Sequence, residues 1–229
     1  MLRYLLLFLL TGLISCSPIR KYENQPDVLA WEDAIRQFEH LDDSLKYPAD
    51  AVIFAGSSSI RMWSTLDKDM APYNVIQRGY GGAKLSDFAV YADRIIAPHP
   101  CSAIVIFVAN DITGGKSDKT PAEDAVLFRY ILKTIRKTHP ETPVFWIAIT
   151  PTASRWRVWD KINEANEKIR EVCEKEPDTY FIRTDYAFLD ENGKPRKELF
   201  IQDQLHLNSD GYAIWTRIIK GELDKVLSR

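Results

Sequence analysis

The sequence predicts an α/β protein, a three-layer α/β/α sandwich built on a central parallel sheet of five strands. Short apolar stretches rich in β-branched and aromatic residues recur five times, and they alternate with segments of helical periodicity. These stretches carry few alternating polar residues, which is typical of strands covered on both faces. Alternating strands and helices fold into parallel sheets with helices on both sides.

Each predicted strand is an apolar run bounded by turn-forming or polar residues. Ligand sites in such sheets lie at the carboxyl ends of the strands. The residues that directly follow the predicted strands are therefore the first candidates for function. The five runs are AVIFA (51–55), NVIQ (74–77), AIVIFVA (103–109), VFWIAI (144–149) and YFIR (180–183).

The helices are indicated by apolar residues at spacings of three and four. This pattern predicts an amphipathic helix over residues 30–46 and a final helix that begins near Asp210. Between the strands, helices are predicted in KLSDFAVYADRIIA, PAEDAVLFRYILKTIRK and WDKINEANEKIREVCEK. Thr120 is the expected N-cap of the second of these, because Pro121 suits the first helical position.

Length and charge limit the classes of function. The 229 residues suffice for one large core, and no repeat or low-complexity linker divides them. With 30 basic and 32 acidic side chains the formal charge is −2, and both signs are interspersed, so a nucleic-acid partner is not expected. Cys101 and Cys173 could pair in an oxidising compartment, although small buried apolar side chains are the favoured interpretation.

The N-terminus, MLRYLLLFLLTGLISC, differs in kind from the rest. Its apolar run is too short to span a bilayer and suits a signal peptide. Its end resembles the lipobox of bacterial lipoproteins, which implies removal of residues 1–15, acylation of Cys16 and a location in the bacterial cell envelope. A plain signal peptide that happens to contain a cysteine is the alternative. Residues 16–29 are then expected to form a lipidated tether, and residues 30–229 the folded domain.

Polar and glycine-rich segments follow the predicted strands. A serine needs a base to become a nucleophile, the base needs an orienting group, and the developing oxyanion needs donors. A carboxylate three residues before a histidine can reach the imidazole within a tight turn. The segments that together supply these parts are Gly56-Ser57-Ser58-Ser59, the glycines Gly79, Gly81 and Gly82, the pair Asn110-Asp111, and DQLHLN with Asp203 and His206.

Taken singly, each segment has a structural explanation. Serine and glycine runs form turns, and an Asn-Asp pair after a strand caps a helix. Asp203 and His206 could also be half of a metal site, although no further cluster in the sequence has ligand spacing. The occurrence of all four segments together, and in this order, favours an acyl-transfer site.

The same segments resemble, in order, the sequence blocks of the SGNH hydrolases, also called GDSL-type esterases and lipases. By this resemblance Ser58 is the nucleophile, His206 the base and Asp203 its orienting residue. The oxyanion hole comprises the backbone N–H groups of Ser58 and Gly82 and the side-chain amide of Asn110. The resemblance runs from about residue 30 to the C-terminus and implies a flavodoxin-like fold that uses no metal or cofactor.

Three positions depart from the family pattern. Ser57 stands in place of aspartate, Gln77 in place of asparagine, and Val108 in place of a glycine, which leaves the geometry of the oxyanion hole open. Two other folds are disfavoured. The nucleophile elbow of α/β-hydrolases needs glycine where Ile60 stands, and a dinucleotide-binding loop needs glycine where Lys84 stands.

The resemblance implies a serine esterase, with short-chain or acetyl esters on carbohydrates as the expected substrates. A lysophospholipase-like acylhydrolase is one alternative, and a non-catalytic envelope binding module is another, since fold alone does not establish activity. Trp156 and Trp159, flanked by Arg155 and Arg157, could line the cleft or pack at the start of a helix. The sequence carries no signal for the oligomeric state.

Overall fold

The computed structural model describes residues 17–228 as a five-stranded sheet in which all neighbouring strands run parallel. The strand order is β2-β1-β3-β4-β5, which is the flavodoxin-like order. Five parallel strands with helices on both faces confirm the predicted fold class. The strands are β1 (Val52–Gly56), β2 (Val75–Gly79), β3 (Ala103–Phe107), β4 (Val144–Ile147) and β5 (Thr179–Ile182).

Helices connect the strands and complete the outer layers. Thr120 caps the helix Pro121–Ile135 as predicted: its hydroxyl accepts the Glu123 N–H at 3.2 Å, and Pro121 is the first helical residue. Within residues 17–228, no helix is both long and apolar enough to cross a membrane. The helices are α1 (Pro26–Leu29), α2 (Glu32–Ser44), α3 (Ser58–Arg61), α4 (Leu66–Met70), α5 (Leu85–Ile96), α6 (Pro121–Ile135), α7 (Trp159–Cys173) and α8 (Ser209–Leu227).

Two hydrophobic clusters cover the two faces of the sheet. Side chains along each strand alternate between them: Ile53 and Ile104 face one cluster, while Phe54 and Val105 face the other. Helices α2, α5 and α6 pack in the first cluster, and α3, α4 and α8 pack in the second. The carboxyl ends of the strands are thereby held at one edge, where the connecting loops meet.

The segment before α2 differs from the expected tether. Its described part, from Ser17, folds back onto the domain, and Ile19, Tyr22 and Val28 are buried in the first cluster. Burial of these three apolar side chains outweighs the polar composition that suggested a linker. Residues 1–15 and Cys16 lie outside the described part of the chain.

The two cysteines within the described residues are free thiols. Cys173 is buried and Cys101 is half-buried. Burial raises the pKa of both thiols to about 12. Both side chains pack in or against the first hydrophobic cluster, as the favoured interpretation of the sequence expected.

Asp124, in the first turn of α6, is a fully buried acid. Neither of its carboxylate oxygens has a hydrogen-bond partner among the described residues. Burial, together with the nearby charge of Asp111, raises the pKa of Asp124 to about 9, although the charge of Lys119 opposes the shift. The folded protein therefore holds a proton on Asp124 at pH values where the unfolded chain releases it.

This proton makes stability depend on pH. Between the pKa of the unfolded chain and that of the fold, the native state binds more protons, so stability falls as pH rises. We expect Asp124→Asn, which cannot ionise, to gain stability relative to the natural chain by up to about 1.4 kcal/mol per pH unit between pH 5 and 8. Urea unfolding at both pH values measures this gain. The exposed control Asp33→Asn should show no such trend. If the stability difference between Asp124→Asn and the natural chain were the same at both pH values, the proton on Asp124 would be contradicted.

Candidate active site

A chain of two hydrogen bonds links three of the predicted site residues. The Nε2 atom of His206 lies 2.8 Å from the Ser58 hydroxyl oxygen, and its Nδ1 atom lies 2.6 Å from an Asp203 carboxylate oxygen. A carboxylate can only accept, so Nδ1 carries the proton and Nε2 is free to accept from Ser58. Ser58 and His206 come together from 148 residues apart.

The Asp203 turn pre-orients the imidazole. The other carboxylate oxygen of Asp203 accepts the N–H groups of Leu205 at 2.9 Å and His206 at 3.0 Å. Gln204 has φ of +55°, a left-handed conformation that lets the chain fold back within three residues. Partial desolvation acts to raise the pKa of Asp203, but hydrogen bonds from His206 and Leu205 hold it below the usual value. The carboxylate is therefore negatively charged at neutral pH.

Within residues 17–228, no further metal ligand joins Asp203 and His206. Among residues 17–228, no group of three or more His, Cys, Asp and Glu side chains is placed to hold a metal ion. The alternative role of Asp203 and His206, as half of a metal site, thus finds no other ligand in the described chain. Their contacts are those of an orienting carboxylate and a base.

The turn that carries Ser58 depends on close contact between β1 and β3. Gly56 has φ of +135°, and a Cβ there would lie 1.9 Å from the Phe107 carbonyl oxygen. The Ser57 N–H donates to that same carbonyl at 2.8 Å. Ser58 is then the first residue of α3, half-buried at the edge of the sheet.

Two side chains hold this turn from opposite sides. The Gln77 amide donates to the carbonyls of Ile60 at 2.6 Å and Trp63 at 3.1 Å, and the Tyr212 hydroxyl donates to the Ser59 carbonyl at 2.8 Å. Gln77, one of the departures from the family pattern, therefore ties β2 to the segment after the nucleophile. Tyr212 ties the same segment to α8.

Asn110 lines the same cleft as His206. Its Nδ2 atom donates to the Ala83 carbonyl at 3.0 Å, which joins the end of β3 to the glycine-rich loop. Gly82, with φ of +59°, is the neighbour of Ala83 in that loop, although it is not among the residues that line the cleft. Val108 points away from the site into the first hydrophobic cluster, so its side chain does not displace Asn110.

Asp111 anchors the same loop from inside the protein. Its two carboxylate oxygens accept the Leu85 N–H at 2.8 and 3.1 Å, and Lys119 pairs with it at 2.9 Å. Burial raises the pKa of Asp111, and the charge of Lys119 opposes that shift. Asn110 and Asp111, adjacent residues after β3, thus both bind the loop that carries Gly82.

The cleft around Ser58 is narrow. It measures about 20 Å³, little more than the space of one water-sized group. Its walls combine the polar site residues with apolar side chains from the ends of β3 and β4 and from the Asp203 turn. The lining residues are Ser57, Ser58, Ser59, Phe107, Ala109, Asn110, Ile149, Thr150, Thr152, Arg155, Leu205, His206 and Leu207.

Arg155 belongs to this cleft, whereas the neighbouring tryptophans do not line it. Trp156 and Trp159 stack on each other with ring centroids 6.0 Å apart, and Lys194 lies 5.3 Å above Trp156. Trp159 packs against the second hydrophobic cluster. The structure thus favours packing over a cleft wall for both rings, and it assigns the cleft position to the arginine beside them.

A comparison with protein families decides the affiliation. The model of the GDSL-like lipase/acylhydrolase family matches residues 34–214. The chain belongs to this family. As a GDSL-like hydrolase it acts on ester bonds, and the resemblance of the four sequence segments is confirmed at the level of the family.

Solved structures support the fold of this GDSL-like hydrolase. A Streptococcus pneumoniae protein described as a platelet activating factor superposes with a TM-score of 0.75 at 20% identity. The superposition covers 86% of this chain and 94% of the Streptococcus protein. A GDSL-like lipase from Bacteroides thetaiotaomicron gives 0.68 at 18% identity, covering 83% and 97%. A variant of an acetyl xylan esterase from Geobacillus stearothermophilus gives 0.62 at 11%, covering 77% and 97%. No curated protein sequence matches the chain.

Sequence reasoning missed several residues that shape the site of this GDSL-like hydrolase. Arg155 and Tyr212 lie outside the four candidate segments, and Trp31 precedes α2, outside the range that the family model matches. A basic residue shortly after a buried strand was the available signal for Arg155. Trp31 lies under the glycine-rich loop, where a Cβ on Gly82 would meet its ring at 3.5 Å. These contacts join segments that are distant in sequence, so no local pattern reports them.

The two positive-φ glycines should respond differently to alanine. We expect Gly56→Ala to yield little folded protein, because its Cβ would overlap the Phe107 carbonyl and force β1 away from β3. Gly82→Ala should fold with a loss of about 1–2 kcal/mol, the usual cost of a left-handed alanine, since Trp31 leaves room for a methyl group. Soluble yield and urea unfolding measure both. Equal effects of the two substitutions would contradict this account.

Proposed function

We propose that the protein is a serine esterase that cleaves short-chain carboxylic esters, acetyl groups on carbohydrates above all, through an acyl-enzyme. The observation that carries this proposal is the unbroken contact from Ser58 through His206 to Asp203. Each member has the partner that its role requires, and all three lie at the carboxyl edge of the sheet, where parallel α/β proteins bind ligands.

In the first step His206 removes the Ser58 hydroxyl proton through Nε2, while the serine oxygen attacks the ester carbonyl carbon. The imidazolium that forms is stabilised by the Asp203 carboxylate on Nδ1. Collapse of the tetrahedral intermediate breaks the bond to the leaving alcohol, and His206 returns its proton to that oxygen. In the second step His206 activates water, which releases the acid and restores Ser58.

The oxyanion needs preorganised donors, and we assign this role to three groups. They are the backbone N–H groups of Ser58 and Gly82 and the Nδ2 group of Asn110. One N–H of the Asn110 amide donates to the Ala83 carbonyl, and the other can donate to the substrate. Such donors act in the transition state, where the negative charge on oxygen is greatest.

The size of the cleft supports a small acyl group. A space of about 20 Å³ next to Ser58 holds about one small group, which favours an acetyl group over an extended chain. Apolar side chains, Ile149 and Leu207 among them, suit the acetyl methyl group, while the open side faces solvent and suits a polar alcohol such as a sugar. An acetyl xylan esterase among the structural neighbours agrees with this choice of substrate class.

Hydrolysis of p-nitrophenyl esters of increasing chain length tests the proposal. We expect residues 17–229 to cleave the acetate, with kcat/KM falling as the acyl chain lengthens. Ser58→Ala should remove nearly all turnover at unchanged stability, whereas Ser64→Ala, an exposed serine after the same turn, should not. A rise in kcat/KM toward long chains would favour a lysophospholipase-like enzyme. Equal rates for the natural chain and Ser58→Ala would contradict the esterase proposal and favour a non-catalytic binding module.

We also propose that Cys16 carries the lipid anchor of an envelope lipoprotein. The support is the lipobox-like sequence that ends at this cysteine. Because Ile19 and Tyr22 are buried, the folded domain begins within a few residues of Cys16 and would sit close to the membrane.

Cell fractionation tests the anchor. In a bacterial host, the full chain should be recovered with membranes and should incorporate labelled palmitate, because acylation retains the protein at the bilayer. Cys16→Ser should lose the label and move to the soluble fraction, while Cys101→Ser should behave as the natural chain. Absence of label from the full chain, or undiminished label in Cys16→Ser, would contradict lipidation at Cys16.

A further inference from the structure

Arg155 reaches from the segment after β4 to the end of β3. It lies in the 3₁₀ turn Ala153–Val158 and lines the cleft beside Ser58. Its guanidinium donates to the Ala109 carbonyl through one terminal nitrogen and to the side-chain oxygen of Asn110 through the other. Both contacts go to the strand end that carries Asn110.

These contacts determine which way the Asn110 amide faces. A guanidinium can only donate and a backbone carbonyl can only accept. With Oδ1 toward Arg155 and Nδ2 toward the Ala83 carbonyl, both contacts are satisfied. A flipped amide would set donor against donor and acceptor against acceptor, and it would lose both hydrogen bonds. The orientation is therefore fixed from two sides.

We propose that Arg155 is a positioning residue of the oxyanion hole, which locks the Asn110 amide so that its second Nδ2 hydrogen points at the developing oxyanion. The inference rests on the proposed function. Such a donor is effective because it is preorganised. An amide that is free to rotate must first be oriented, and the free energy this requires adds to the activation barrier.

Arginine suits this role better than lysine. Its planar fork presents two donors at fixed separation, which match the Ala109 carbonyl and the Asn110 oxygen at the same time. Lysine presents a single ammonium on a flexible stem and cannot define that plane. The guanidinium charge also polarises the amide through Oδ1, which strengthens the Nδ2 hydrogen bond to a negative oxygen.

The test measures the rate at which Ser58 reacts with a fluorophosphonate probe, so the natural ester need not be known. In this reaction the serine oxygen bonds to phosphorus, fluoride leaves, and His206 takes the serine proton. We expect Arg155→Gln to lower the rate about 10- to 100-fold, less than the roughly 10²–10³-fold effect of removing a donor outright. The labelling rate of Arg155→Lys should lie between those of the natural chain and Arg155→Gln. The lysine variant replaces the glutamine variant if the latter fails to fold.

Arg157 is the matched control. It lies two residues away in the same turn and donates to the backbone carbonyls of Thr113 and Gly114, outside the cleft. Arg157→Gln should keep the labelling rate within about twofold. If it lowers the rate as much as Arg155→Gln at equal thermal stability, the effect belongs to the turn as a whole and the inference is overturned.

A double-mutant cycle separates positioning from general support. If Arg155 acts through Asn110, then Arg155→Gln should cost nothing further, within about twofold, once Asn110→Ala is present. A further tenfold loss in the double variant would show that Arg155 acts by another route and would overturn the inference. Undiminished labelling of Arg155→Gln would overturn it while leaving the proposed function intact. Absence of labelling in the natural chain would instead overturn the proposed function, and the inference with it.

Discussion

The close approach of β1 and β3 at their carboxyl ends is the constraint on which the rest of the site depends. Only a glycine fits at position 56, because a Cβ would overlap the Phe107 carbonyl, and the Ser57 N–H binds that carbonyl in turn. The contact holds Ser58 beside Asn110, which follows β3 by three residues. It also lies where the strand order reverses, with β2 on one side of β1 and β3 on the other, the position at which such sheets open a crevice.

The base His206 comes to this crevice from near the C-terminal end of the chain, and packing in the core positions it. Helix α8 follows the His206 segment directly, and its residue Tyr212 binds the Ser59 carbonyl and stacks on Trp63 with centroids 5.1 Å apart. Trp215 extends this aromatic cluster to Phe107 at 4.8 Å. The nucleophile turn and the helix behind the base thus share one packed cluster, so the Ser58–His206 distance is coupled to the stability of the fold.

On the oxyanion side, buried charges supplement the packing of Trp31 under the glycine-rich loop. Asp111 and Lys119 form a buried pair that holds the Leu85 N–H, and Arg155 brings a second cation to the same strand end. Removing one partner of a buried pair typically costs about 3–5 kcal/mol, because the other charge stays uncompensated. Asp87 adds a further buried acid, whose pKa burial raises to about 7 although its hydrogen bond from Tyr80 opposes the shift. This network keeps the glycine-rich loop in register with Asn110.

The sequence by itself determined the five strands, the main helices, the family and the four candidate segments, three of which line the cleft, because periodicity, capping and short motifs are local. It could not show that residues 17–29 pack on the domain, that Gln77 and Tyr212 hold the nucleophile turn, or that Arg155 grips Asn110. Those contacts exist only once strands far apart in sequence lie side by side. Polar side chains without a motif acquire their partners from that geometry, so the tertiary structure alone decided which of them complete the site.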